Sequence, residues 1–119
     1  MFQKWEVNGK EYNLRLDTSS IIDCEEKLGC NLLEVLQKGM PRLGETLDIV
    51  HFAMKKYNSG ISRKDLNEIY DVYIQEGGTH IKFFTEIFMG IFKTSGFFTK
   101  EQAQEMEEAM VQAPVKKKK

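Results

Sequence analysis

THIKFFTEIFMGIFKTSGFF, residues Thr79 to Phe98, decides how the rest of the chain is read. It carries six of the eight phenylalanines, together with Ile81, Ile87, Met89 and Ile91. On a helical wheel at ~100° per residue, Lys82, Glu86 and Lys93 share one narrow wedge, and the apolar residues sweep an arc of about 180°. A surface helix buries a stripe only somewhat over ~100° wide. Either this helix is central in its own domain, or part of the arc is meant for another chain.

Outward from it, the glycines and caps divide the chain into short helices. Gly77 and Gly78 end the preceding segment, and Thr79 is the expected N-cap of the Phe-rich helix. Before them, Leu66, Ile69, Tyr70, Tyr73 and Ile74 form a helical stripe, opened by a capping box at Ser62 and Asp65. Asn58, Ser59 and Gly60 separate it from a helix over about Arg42 to Tyr57, whose stripe of Leu43, Leu47, Val50, Met54 and Tyr57 is widened by Ile49, Phe52 and Ala53. That helix is expected to be buried on more than one side. Two shorter helices precede it. Ile21, Cys24 and Leu28, with Ile22 adjoining, follow cap candidates among Asp17 to Ser20 and stop at Gly29. Asn31 and Glu34 open the second, Leu32, Leu33, Val35 and Leu36, which ends at Gly39 and Pro41.

Residues 2 to 16, FQKWEVNGKEYNLRL, read as a β-hairpin. Asn8 and Gly9 tolerate the positive φ that a type I′ turn requires at both central positions, and alternating residues flank them. Phe2, Trp5 and Val7 on one strand and Tyr12, Leu14 and Leu16 on the other are the apolar positions, with Phe2 and Trp5 of different parity. At the other end, Thr99 to Gln102 fits a capping box for a final helix over 99–112. Its stripe of Ala103, Met106 and Met110 is thin beside Glu101, Glu105, Glu107 and Glu108. Residues 114–119 are expected to be a disordered lysine tail. The whole is a mainly α single domain of about five to six helices over 1–113, with an N-terminal hairpin over 2–16 and a helical core over 17–98.

At 119 residues the chain can bury a core without staples. Its two cysteines, Cys24 and Cys30, and the lack of a signal-like N-terminus point to a reducing cytosol. No apolar run approaches the ~20 residues of a membrane helix. The net charge of −1 includes the four terminal lysines, and without them thirteen basic residues face eighteen acidic ones. Such a body is a poor match for nucleic acid, whose phosphates are bound by lysines and arginines.

Chemistry-bearing patterns are sparse. His51 and His80 each have at most one nearby carboxylate, Asp48 and Glu76 respectively, which falls short of a metal site. Cys24 and Cys30 match neither a CxxC pair nor zinc spacing. The pairs Glu25 with Glu26 and Glu107 with Glu108 read as solvated helix faces. Phosphate loops and a nucleophile elbow are absent. The expectation is no enzyme, no cofactor and no metal.

One resemblance covers roughly Asp17 to Phe98. The helix with Ile22, Asp23, Glu25, Glu26, Leu28 and Gly29 comes first, then Leu32, Leu33, Val35 and Leu36, then an apolar helix. Leu66, Ile69 and Tyr70 follow, and the Gly77-Gly78 break precedes an apolar helix ending in Ser95, Gly96, Phe97 and Phe98. This order resembles the tail assembly chaperones of long-tailed phages and prophages of Gram-positive bacteria. The resemblance implies a non-enzymatic protein of the bacterial host cytoplasm, absent from the mature virion. It would hold the tape measure protein soluble while tail tube protein polymerises around it, and it would self-associate into a homo-oligomer. The acidic body and the lack of a long apolar run lead to the expectation of no nucleic-acid and no membrane partner.

Such a family commonly also makes a longer product by ribosomal frameshifting. The adenine-rich codons of Lys116 to Lys119 are one place for it; a solvated end is the alternative. The expected partner contacts are Phe84, Phe88, Ile91, Phe92, Phe97, Phe98, Met106 and Met110, centred on the corner where Gly96 breaks the helix. A small structural connector or completion protein of a phage tail or head is the rival reading.

Overall fold

The computed structural model describes residues 1–102, 104 and 105. Two strands, β1 (Gln3–Val7) and β2 (Lys10–Leu14), pair antiparallel with Val7 opposite Lys10 and Trp5 opposite Tyr12. Asn8 at φ 52° and Gly9 at φ 77° make the two-residue turn, as the Asn-Gly pair predicts. Strand periodicity then places Trp5, Val7, Tyr12 and Leu14 on one buried face. Phe2, of the other parity, stays 40% exposed and lies edge-on to Tyr57 at 4.7 Å.

Helix α1 (Thr18–Leu28) starts where Asp17 accepts a hydrogen bond from the Ser20 amide at 2.9 Å, and it stops at Gly29 with φ 76°. Helix α2 (Leu32–Gln37) is capped by Asn31, which accepts from the Glu34 amide at 2.8 Å. Helix α3 (Leu43–Lys55) buries Thr46, Leu47, Ile49, Val50, Ala53 and Met54, on more than one side as expected. It anchors the hairpin: the Arg15 amide donates to the Ala53 carbonyl at 3.0 Å, and the Asn58 side-chain amide donates to the Asn13 carbonyl at 2.7 Å. Helix α4 (Arg63–Gln75) opens with the reciprocal Ser62 and Asp65 capping box and is tied to α3 by Arg63 and Asp48 at 2.8 Å.

The Phe-rich stretch is a continuous helical run in three pieces. After the Thr79 cap come α5 (His80–Lys82), a π-helical segment (Phe83–Phe88) and α6 (Met89–Thr94). The wider turn corrects the reading of an uninterrupted α-helix. Here the Met89 amide reaches back to the Phe84 carbonyl, and the Thr85 hydroxyl takes the Ile81 carbonyl at 3.1 Å. Ile87 to Phe92 are buried without a gap, so residues of every orientation face protein. The hairpin and α3 pack against the run, and Tyr70 and Tyr73 of α4 meet Phe83, so centrality accounts for the apolar arc over Ile87 to Phe92, whereas Ile81 stays 56% exposed. Close approach has a local cause at Gly90, where a β-carbon would stand 1.9 Å from the Gln3 side chain on β1.

The Thr99 and Gln102 capping box forms in both directions, at 3.0 and 3.1 Å, and launches a helix at residue 100. Most of the expected final helix and the 114–119 tail lie outside the described residues. A mainly helical fold with an N-terminal hairpin is the architecture.

Candidate functional site

Of the expected contact residues, Phe88, Ile91 and Phe92 are fully buried. They are corrected from surface contacts to core, because they lie in the stretch Ile87 to Phe92, which is buried without a gap. Phe84, Phe97 and Phe98 are half-buried against that core. Met106 and Met110 lie outside the described residues. A ladder of rings links these positions, from Phe84 to Phe88 at 5.4 Å, on to Phe92 at 5.1 Å, and to Phe97 at 4.8 Å.

At the Phe84 end of the ladder the surface opens into an apolar notch of about 250 Å³. The loop after α2 supplies Met40 and Pro41, the start of α3 supplies Leu43 and Thr46, and Tyr70, His80, Phe83 and Phe84 complete it. Met40 is 53% and Leu43 42% exposed, unusual for large apolar side chains that border a hollow. Local sequence produces the opening. Gly39 turns the chain at φ 94°, Arg42 is extended, and α3 begins only at Leu43, so two apolar residues stand in or beside a loop. Sequence reasoning missed this set apart from Phe84: it assigned Leu43 to the buried stripe of the third helix, and Met40 beside Pro41, outside any stripe, was the available signal.

The polar atoms of the notch pair with one another. Tyr70 Oη and His80 Nδ1 are 2.7 Å apart, with the two rings stacked at 14° and 5.6 Å between centroids. Burial, then the neighbouring Tyr73, pushes the Tyr70 phenol up to about 12, so it stays protonated at neutral pH. The Thr46 hydroxyl donates to the Arg42 carbonyl at 3.0 Å. Such a site offers an apolar hollow with satisfied hydrogen bonds, suited to accepting a side chain.

The remaining chemical candidates have local partners. His51 Nε2 lies 2.8 Å from the Ile61 carbonyl and fastens the loop before α4. Cys24 is buried, and burial, followed by Asp48 and Glu25, pushes its thiol up to about 12, which suppresses the reactive thiolate. Among the described residues no three His, Cys, Asp or Glu side chains gather to hold a metal ion, and no helix is long and apolar enough to cross a membrane.

No curated protein and no solved structure matches the chain. One family matches over residues 3–117, a family of unknown function (DUF6096), and the chain belongs to it.

Proposed function

We propose that the protein is a non-enzymatic tail assembly chaperone that binds the tape measure protein and keeps it soluble in the cytoplasm of a bacterial host. The order of helices and glycine breaks over Asp17 to Phe98 supports this reading by resemblance. The observation that carries it in the fold is the open notch beside Met40, Leu43 and Phe84. A tape measure helix exposes apolar residues along its length, and one of them seated in the notch leaves water as it would in a helix-in-groove complex. Burying one such side chain contributes ~1.5–3 kcal/mol. One contact of that size binds weakly; a homo-oligomer that repeats it along a long helix gains by multivalency.

Co-expression with a fragment of the cognate tape measure protein tests the proposal. The expected result is a fragment that stays in the supernatant with the chain and precipitates without it. A fragment equally insoluble in both cultures overturns the reading. Purified virions separate the chaperone, expected to be absent from them, from a connector that remains in the particle.

A further inference from the structure

We propose that in the free protein the notch is filled by the chain's own acidic C-terminal segment, residues 103–113, seating Met106 and Met110 beside Met40, Leu43 and Phe84 of the same copy. The first support is charge. From Glu101 to Ala113 the sequence has four glutamates and neither lysine nor arginine. On the other side, Lys38 and Arg42 flank Met40 and Pro41, and neither has an ion pair among the described residues. The N-terminal end of α3 opens at Leu43 and adds the partial positive charge of its unpaired amides. Acid is present too, at Glu45, whose carboxylate accepts from the Arg42 amide at 3.4 Å.

Reach is the second support. The ring ladder from Phe84 to Phe97 takes three steps of 5.4, 5.1 and 4.8 Å, so the point where the last helix starts is near the notch on the scale of a short helix. A helix of about twelve residues is ~18 Å long, enough to run back along that ladder. Side-chain chemistry agrees, because unbranched methionine fills an irregular apolar hollow that a stiffer residue would not. Four glutamates beside two methionines suit such a seat: the notch would supply the apolar partner, and the rim would meet the acids.

Disulfide trapping in the full chain tests this, in a Cys30→Ser background where Cys24 stays buried. The pairs are Leu43→Cys with Met106→Cys, and Leu43→Cys with Met110→Cys. An Ile22→Cys and Met106→Cys pair serves as control, Ile22 being 52% exposed on α1 and outside the notch. A disulfide needs its two Cα atoms within ~7 Å, so the trap reports contact rather than proximity. At least one notch pair is expected to close within a monomer, about tenfold faster than the control, and to slow severalfold when Lys38→Glu and Arg42→Glu are added. Closure only between two molecules would assign the notch to a second copy and overturn the proposal. So would closure of both pairs at the control rate. The measurement reads the free chain alone, so its outcome is independent of whether a tape measure protein is the partner.

Discussion

Gly78 lies directly against the ring of Tyr73: a β-carbon at Gly78 would stand 2.4 Å from two of the ring's carbons. The ring is hemmed in on its core side, where it meets Trp5 at 5.6 Å, Tyr70 at 5.7 Å and Phe83 at 5.6 Å. The helix break before the Phe-rich run therefore needs glycine for space as well as for termination. Gly78→Ala is expected to destabilise by ~1–3 kcal/mol through overpacking. Gly44→Ala, where the added carbon meets nothing within 4 Å, is the comparison and should be neutral or stabilising by up to ~1 kcal/mol. Thermal melts of the two variants decide it; equal melting temperatures would show that Tyr73 yields.

Trp5 is 2% exposed, and its indole N–H has no hydrogen-bond acceptor. Phe83 at 5.0 Å and Tyr73 at 5.6 Å pack edge-to-face with the ring. A buried unsatisfied donor costs ~1–3 kcal/mol. Removing it offsets the packing lost in Trp5→Phe, so that variant should change stability by less than ~1.5 kcal/mol. Trp5→Ala, which empties the site, should cost ~3–5 kcal/mol. Chemical denaturation of both variants measures the contrast, and a Trp5→Phe loss equal to that of Trp5→Ala would mean that the N–H has a partner.

Asp17 performs two tasks, capping α1 and pairing with Lys56 at 2.9 Å. The Lys56 ammonium, then the Ser20 amide and hydroxyl, hold its carboxyl well below the ordinary value of 3.8. A carboxyl whose folded pKa is depressed adds stability above its unfolded pKa, and that stability is lost as pH falls through the folded one. The contribution is thus complete above pH ~4 and fades in more acid solution. Asp17→Asn keeps a good cap but removes the charge. Because Lys56 is exposed, the variant is expected to lose under ~1 kcal/mol at pH 7 and to melt with a flatter dependence on pH below ~4. Parallel curves for the two proteins would assign the acid sensitivity to other carboxylates.

What the sequence disclosed and what it withheld divide by range. Caps are local, and Asn31, Ser62, Thr79 and Thr99 each make the hydrogen bond that their spacing implies. Asn8 and Gly9 fix the hairpin for the same reason. The π-helical turn at Phe83 to Phe88 has no such signature, because a wheel at fixed angle assumes the geometry in question. Burial of Phe88, Ile91 and Phe92 depends on how hairpin, α3 and α4 close around one helix, which is a tertiary fact. The notch is harder still to read: it joins Met40 and Leu43 to Tyr70 and Phe84 across three connections, and apart from Met40 beside Pro41 none of its members is unusual where it stands in sequence.

Exposed apolar residues that fold does not need are where function can be separated from stability. Met40 and Leu43 have large solvent-accessible fractions against the described residues, and a terminal segment that undocks from them leaves the core intact, so Met40→Ser and Leu43→Ser should each shift global folding stability by no more than ~0.5 kcal/mol. If the notch receives apolar side chains of a tape measure protein, each substitution removes part of a contact worth ~1.5–3 kcal/mol, a weakening of roughly tenfold or more. Ile22→Ser, at similar exposure on α1, supplies the comparison, since it removes the same kind of surface away from the notch. The soluble yield of the co-expressed fragment should fall for the two notch variants and hold for Ile22→Ser, with unchanged melting temperatures in all three. Equal yields across the three variants would remove the notch from the binding surface, and a loss confined to Ile22→Ser would move that surface to α1.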